Sequence, residues 1–504
     1  MRIASLLLAA TLAGCTVGPD FIRPPAPTAT AYQPAGEAVS SRAVLGTGPE
    51  QRWWTAFGSP HLNTLVDRAL TNNRSLAASN ATLAASLDEL RAVSGRRLPQ
   101  IDANARADQQ QVNLAGFGFS GVNPLAPGGN PEFHLYSVGG GISYDLDLFG
   151  GLRRQVEQSA ARAEAQQRQT EAAHLTIAGQ VVNQVLTIAA LRAQIATANR
   201  LLAEDQRNVD LTQKRRAGGE GTLVEVLNAQ SQYAADRSDL PQLDQQLAEA
   251  RHLLATLIGI APAELEPTDF DLAQLALPPS VPVALPSELV HRRPDILQAE
   301  AELHAAAAGV GVATARLYPD ITLGATLTQG APAVGDLVKN AFRGYDLFAG
   351  LTAPIFHGGT LKAERAAAIN RAKASEATYQ QTVLNAFGQV ADLLSAIQSD
   401  ARSVANQSES LSVAERSRHL SRRSFEVGNS GILQVLESER LYQRASNGLV
   451  LARTRQFLNV ARLYVATAGG WRSLSPENSV AGERADEPRR HTLISRDGNG
   501  RPAS

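Results

Sequence analysis

One cysteine and one methionine occur among the 504 residues, and Phe, Trp and Tyr together make up only 5%. A lone cysteine excludes a disulfide framework and a thiolate zinc site. Neither sign of charge prevails, with 47 Lys and Arg against 48 Asp and Glu. That balance excludes a nucleic-acid binder working through a basic field. Beyond residue 15 there is no unbroken apolar run long enough for a transmembrane helix. The most apolar stretch, Thr176 to Ala193, is interrupted by Gln180, Asn183 and Gln184. A membrane crossing by the mature chain would therefore need strands. Catalytic signatures are missing too: there is no Gly-x-Ser-x-Gly elbow and no phosphate-binding Gly-rich loop followed by Lys. His291-Arg292-Arg293-Pro294-Asp295 contains a proline and lacks the partner motifs of a kinase loop. The histidines are scattered, with no His-x-x-x-His beside a carboxylate. Asp145 and Asp147 share a face at strand spacing and are assigned to a lumen wall, not to a metal. No catalytic residue, metal site or cofactor is expected.

What is present begins at the N-terminus. Met1-Arg2, an apolar core from Ile3 to Leu12 and the small Ala13-Gly14 form an export signal over residues 1–14. Leu12-Ala13-Gly14-Cys15 resembles the bacterial lipobox, which makes Cys15 the lipidated first residue of the mature chain. Each buried CH₂ of its acyl chains contributes about 0.8 kcal/mol to anchoring. Thr16 follows where some bacteria use Asp to retain lipoproteins in the inner membrane, so the implied address is the outer membrane.

An internal repeat organises the rest. Arg96-Arg97-Leu98-Pro99-Gln100-Ile101 returns as Arg316-Leu317-Tyr318-Pro319-Asp320-Ile321. Leu223-Val224-Glu225-Val226-Leu227 returns as Ile432-Leu433-Gln434-Val435-Leu436. Two structural repeats, 61–258 and 286–470, each read as helix, strand, loop, strand, long helix, turn and returning helix. The first helix runs from Leu62 to about Arg96. Period-two alternation then marks strands at about 101–113 and 133–148, and in the second copy at about 321–330 and 344–356. Tyr136, Val138, Ile142, Tyr144, Leu146 and Leu148 alternate with Ser137, Gly139, Gly141, Ser143, Asp145 and Asp147. One apolar and one polar face suit either a soluble sandwich or a lipid-facing barrel with a wet lumen, and the export signal with its lipid anchor favours the barrel. Four strands cannot close alone, and an open edge in hydrocarbon leaves costly unpaired N–H and C=O groups. The barrel must be shared between chains, as a dimer or a trimer.

From Leu152 to about Arg216 and from Leu361 to about Glu426 there is no proline and little glycine. Helices of that length span about 100 Å. Returning helices follow from Thr222 and from Gly431, the first containing Pro241, which should interrupt it. Ala, Gln, Leu and Val at the seams with polar outer faces favour coiled coils around a solvated tube. Lys214-Arg215-Arg216 complements a helix C-terminus, Ala217-Gly218-Gly219 breaks the helix, and Thr222 with Glu225 spells a capping box. Val427-Gly428-Asn429-Ser430-Gly431 makes the second break. Residues 15–60 read as an extended segment, the proline-rich 259–285 as a linker outside the tube, and 471–504 as a disordered tail.

Cys15-Thr16-Val17-Gly18-Pro19-Asp20-Phe21, Trp53-Trp54, Ser143 through Gly150, Arg292-Arg293-Pro294-Asp295-Ile296 and Pro354 through Gly359 together resemble TolC-like outer-membrane efflux lipoproteins. His357 stands where that family more often has an acidic residue. The resemblance implies a mixed α/β membrane protein: a homotrimer with twelve strands in one transmembrane antiparallel β-barrel, above a periplasmic helical barrel of coiled coils. It implies a passive duct for drugs or small toxic compounds, lipid-anchored in the outer membrane. Its partners would be a periplasmic adaptor (membrane fusion) protein and an inner-membrane RND-type pump, with no nucleic acid. By the same resemblance Leu433 and Glu437 form the periplasmic gate, unless Glu437 merely pairs with Arg440. Gly218, Gly219, Thr222, Gly428, Asn429 and Gly431 would meet the adaptor at the helix tips. A type I secretion duct and a non-conducting surface rod are the competing readings.

Overall fold

The computed structural model describes residues 16–25, 27–34, 42–46, 48–111, 132–266 and 270–467. Cys15, the Gly116–Pro131 loop and the tail from Trp471 lie outside the described residues. Along the chain come β1 (Ala43–Leu45), α1 (Pro60–Asn72), α2 (Arg74–Gly95), β2 (Gln100–Gln111), β3 (Glu132–Asp145), α3 (Gly151–Ala217), α4 (Leu223–Ser238) and α5 (Leu240–Leu257). The second half continues with β4 (Val281–Val283), α6 (Pro294–Ala315), β5 (Asp320–Ala331), β6 (Arg343–Thr352), α7 (Thr360–Glu426) and α8 (Ile432–Ala466). Short β1 and β4 pair in parallel, so the linker between the repeats packs on the N-terminal segment.

Strands β2, β3, β5 and β6 form one antiparallel sheet in the order β2-β3-β5-β6. Register, more than composition, shows what this sheet is for. Ile101, Ile142, Ala325 and Leu347 lie in one cross-strand row, and Ala103, Gly140, Leu327 and Tyr345 in another. The intervening row is Asp102, Gly141, Thr326 and Asp346. One face is therefore mainly apolar and the other mainly polar or small, with Phe133, Leu135 and Phe348 as its apolar exceptions, and the apolar side chains Ile101, Val138, Tyr345, Leu347 and Leu351 are exposed. Within the chain β2 and β6 are the sheet's two ends.

Several elements differ from the sequence reading. The first helix divides at Asn73, whose ψ of 125° turns the chain, while its Oδ1 accepts from the N–H groups of Ser75 and Leu76. Its Nδ2 donates to the Leu257 carbonyl at 2.8 Å, tying the corner to the end of α5. Strand β3 stops at Asp145, so Leu146, Asp147 and Leu148 belong to the exit turn. Asp147 has φ 44°, and its carboxylate accepts from the N–H groups of Leu152 and Arg153 at 2.8 and 3.0 Å. It neutralises the open N-terminus of α3 and does not share a strand face with Asp145. Strand β6 ends at Thr352, before Pro354, which leaves Ile355 beyond the sheet. By contrast, the break expected at Pro241 is there: the returning helix of the first repeat is interrupted at Asp239, with Pro241 in the first turn of α5, where its missing N–H costs nothing.

Helices α3 and α7 are each 67 residues long, about 100 Å at 1.5 Å per residue. Alpha3 packs along α6, and α7 along α8. Part of α3 is apolar enough by composition to cross a membrane, but 67% of that window is buried in the protein. It is the core helix of the bundle, through Val181, Val182, Val185, Leu186 and Ile188. The same cluster takes in Trp53, Trp54 and Phe57, Leu254 of α5, Val390 and Ile397 of α7, and Val460 and Tyr464 of α8. Arg293 closes this level: it donates to the Ala466 carbonyl at 3.1 Å and to Gln389 Oε1 at 2.8 Å, and pairs with Asp295. A cation thus meets the C-terminal carbonyls of α8 where the macrodipole is negative.

Candidate functional site: the helix tips and their buried charges

Both long helices end on glycine turns. After Ala217, Gly219 takes φ 79°, and after Glu426, Gly428 takes the same φ, values at which a Cβ is strained. Thr222 Oγ1 accepts from the Glu225 N–H at 3.3 Å, and Glu225 Oε2 accepts from the Thr222 N–H at 2.8 Å. This reciprocal cap restarts the chain as α4. Alpha8 starts from Gly431 with no side-chain cap, while Asn429 N–H returns to the Ser424 carbonyl at 2.9 Å. Thr222→Ala is expected to cost about 1 kcal/mol of local helix stability. Faster amide exchange over Leu223–Val226, with α8 unaffected, would register it.

Beneath the second tip Phe425, Ile432, Val435 and Leu436 form a small core with Leu211 of α3. Leu433 points away from it and is 63% exposed. Glu437, one turn on, is also exposed, and its Oε2 pairs with Arg440 Nη1 at 3.1 Å. Arg440 Nη2 then donates to Gln232 Oε1 of α4 at 2.7 Å. Glu437 is consequently held by a cation that also grips the neighbouring hairpin.

Two residues beyond Glu437 begins a cluster absent from the sequence reading. Glu439 on α8 is 2% exposed and faces Arg418 and Arg422 of α7 at 3.6 and 3.1 Å. Arg422 also binds Glu204 of α3 at 2.5 Å, joining the two repeats. Burial works against the Glu204 charge, but the bond and charge of Arg422, with Arg207 and Arg418, hold its carboxyl below the ordinary value. Glu439 goes the other way: burial raises it despite the two arginines. Asp205, beside Glu204, is 1% exposed, and neither of its oxygens has a donor among the described residues. Burial first, then Asp236 of α4, then Glu439 and Glu204, push its carboxyl up to about 8. A faint signal existed in the sequence. Asp205 falls four residues after Leu201 and four before Val209 on the buried seam of α3, and Glu439 four after Val435 on that of α8.

The other end of the chain supports the sheet. Val17 N–H donates to the Phe149 carbonyl at 3.1 Å, and a Cβ on Gly18 (φ 95°) would lie 2.5 Å from Gly311 Cα. Buried Arg154 binds Asp20 and Glu157, both at 2.7 Å. Phe21 stacks on His304 at 4.4 Å, and Arg23 pairs with Glu300 at 2.7 Å. Tyr32 Oη donates to the Ala284 carbonyl at 2.7 Å. Residues 16–25 and 27–34 therefore form a strap that starts at the exit of β3 and runs along the helices.

A sheet with an apolar outer face, carried on paired helices of about 100 Å, defines a membrane channel class. The chain belongs to the Outer membrane efflux protein family, whose profile matches residues 65–260 and 285–469. It is 34% identical over 470 residues to the pyoverdine export outer membrane protein OpmQ of Pseudomonas aeruginosa, covering 93% of this chain and 96% of that one. It is 29% identical over 466 residues to the toluene efflux pump outer membrane protein TtgC of Pseudomonas putida, covering 91% and 93%. Among solved structures, the outer-membrane channel OprN superposes with a TM-score of 0.82 at 28% identity, over 91% of this chain and all of that one. The open state of the Neisseria gonorrhoeae channel MtrE superposes with a TM-score of 0.77 at 27% identity, over 90% and 98%. The protein is an outer-membrane channel of the TolC and efflux-pump superfamily, with a non-enzymatic transport role. Channels of this type typically form trimers and work with periplasmic adaptors and inner-membrane RND pumps.

Proposed function

We propose that three copies of this chain join their sheets edge to edge into one twelve-stranded barrel, continuous with a helical tunnel in the periplasm. The observation that carries this reading is the four-stranded sheet, apolar and exposed on one face and ending at β2 and β6. Lipid demands closure, because each unsatisfied backbone group there costs several kcal/mol. Strands of 10 to 14 residues suit a tilted crossing of the hydrocarbon core. Cys15 carries the acyl anchor: Thr16, the next residue, packs against Gly150 at the exit of β3, so the acyl chains start at the membrane boundary. Relatives named for pyoverdine export, toluene efflux and cation efflux favour small compounds as cargo over polypeptides. The duct supplies no energy; an RND-type pump does, through an adaptor that meets Gly218, Gly219, Thr222, Gly428, Asn429 and Gly431.

Leu433 and Glu437 narrow the periplasmic mouth. Three copies of Leu433 form an apolar constriction and three of Glu437 an acidic one. Opening splays the helix pairs and stretches the Glu437–Arg440–Gln232 contact. Replacing both residues by alanine is expected to raise single-channel conductance severalfold in planar bilayers, at an unchanged trimeric size in detergent. Unaltered conductance in that variant removes these two residues from the gate.

A further inference from the structure

The two repeats match residue for residue where they enter and leave the sheet. Helices α2 and α6 both have 22 residues, β2 and β5 both have 12, and α3 and α7 both have 67. Arg74 and Pro294, which open α2 and α6, are 220 positions apart, and so are Gln100 and Asp320, which open β2 and β5. Gly151 and Thr360, which open α3 and α7, are 209 apart. The strands before them keep that interval, since Gln100 pairs with Ser143 and Asp320 with Thr352.

Inside the chain the repeats already meet once. There β3 of the first pairs with β5 of the second, from Tyr136 with Ala331 to Asp145 with Thr322. Just past that ladder Leu146 N–H donates to the Ile321 carbonyl at 3.0 Å, and Phe149 stacks on Tyr318 at 4.7 Å. Closing a shared barrel makes the repeats meet again, with β6 of one copy against β2 of the next. Each junction sets the exit strand of one repeat against the entry strand of the other.

We propose that the seam between copies repeats the internal junction, so that β6 pairs with β2 of the partner subunit in one defined register. Carrying β3 forward by 209 and β5 back by 220 turns Ser143 opposite Gly324 into Thr352 opposite Asn104 of the partner subunit. The ladder then runs from Tyr345, opposite the partner's Gln111, to Pro354, opposite the partner's Asp102. This register presupposes the shared barrel and adds to it which residues close the wall.

Several features of the two edges agree with it. Gly350 meets the partner's Arg106 on the lumen side, and Ala349 meets the partner's Ala107 on the lipid side. A slip of one residue would turn every lumen side chain of one strand toward lipid. A slip of two in one direction would set Asp346 opposite the partner's Asp108, a repelling pair of like charges. Proline is accommodated as well. In the internal junction the N–H that bonds across belongs to Leu146, so by alternation that of Asp145 does not. Pro354 is the counterpart of Asp145, and its missing N–H takes nothing from the seam. Finally, Leu98, Ile101, Ile355 and Phe356 are all exposed in the single chain. The register sets Ile355 opposite the partner's Ile101 and Phe356 diagonal to the partner's Leu98, so each gains an apolar neighbour.

Paired cysteines in the full-length lipoprotein, held in membrane vesicles, test the register. Thr352 and the partner's Asn104 form a non-hydrogen-bonded pair, with Cα atoms about 4.5 Å apart, which a disulfide can bridge. Within one chain β2 and β6 stand three strand spacings apart, roughly 14 Å, so a bridge must join two chains. Thr352→Cys with Asn104→Cys is expected to oxidise to species of two and three chain masses on a denaturing gel. Thr352→Cys with Asp102→Cys, or with Arg106→Cys, should stay at one chain mass, because diagonal residues lie about 7–8 Å apart. Each single variant, with Cys15 as its only other cysteine, should do the same. Asp346→Cys with Gln110→Cys reads the same register further along the strands, should the first pair fail to assemble. A bridge from Thr352→Cys to Asp102→Cys or Arg106→Cys in place of Asn104→Cys overturns the register while the shared barrel stands. Absence of every bridge in protein of trimeric native mass overturns it too. Absence of every bridge in protein whose native mass is one chain is the failure of the shared barrel itself.

Discussion

Trp53→Ala is expected to remove about 3–5 kcal/mol of stability. Trp53 is 2% exposed and stacks on Tyr464 of α8 at 5.4 Å, with Trp54 and Phe57 edge-on at 5.9 and 6.3 Å. These rings bind the segment before α1 to the last turns of α8, so they hold the start of the first repeat against the end of the second. The chain has only three tryptophans, and two of them are here. Four buried rings, Trp53, Trp54, Phe57 and Tyr464, meet at this level, while the long helices elsewhere pack mostly through Ala, Leu and Val. A cavity here has few flexible neighbours to fill it: Phe57, Leu62, Val66 and Val460 are all fully buried. Trp53→Phe keeps most of the stacking area on Tyr464 and should lose less than half as much. Thermal midpoints of the purified protein, followed by circular dichroism, would measure both. A Trp53→Ala midpoint within the range of surface substitutions would mean that the ring cluster is not what joins the repeats.

What could be read from the sequence divides along a physical line. Period-two alternation survives any change of partner strand, so the two faces of β2, β3, β5 and β6 were legible in their central rows, whereas the row of Gln329 with Arg343 and the row of Phe348 mix the two. The glycine breaks at Gly218-Gly219 and Gly428 and the Thr222–Glu225 cap are also local: they depend on residues within one turn of each other. Asn73 and Asp147 were missed because each acts as a cap in a segment whose neighbours continue the helical or strand pattern. The side-chain bond of Asn73 to Leu257, 184 residues away, could not be seen from Asn73. The same holds for the charges behind the tips. Glu204 and Glu439 look like ordinary polar positions until Arg422 from a third helix reaches both. Asp205 likewise needs its neighbours from α4 and α8 packed around it before burial raises its carboxyl.

Leu347→Arg is expected to cost about 2–4 kcal/mol if its row faces lipid, and to leave little protein resistant to extraction from the membrane. Leu347 lies at the middle of β6, in register with Ala325, Ile142 and Ile101. Its side chain is 72% exposed, with no protein core to cover it. A soluble sandwich would bury such a face beneath a second sheet, and the described residues supply none: the other pair, β1 with β4, is three residues long and packs at the linker. In the proposed barrel, lipid is that cover. A guanidinium at that depth must reach the headgroups along a stem too short for the distance, or draw water into hydrocarbon. Asp346→Arg is the decisive control, one residue away in the same strand but in the row of Asp102, Gly141 and Thr326. There the same charge meets water in the lumen, so assembly should be retained and only ion selectivity should shift toward anions. Urea unfolding from vesicles and reversal-potential measurements read the two effects independently. If both arginines impair assembly alike, the sheet has no lipid side, and the barrel and the shared wall fall with it.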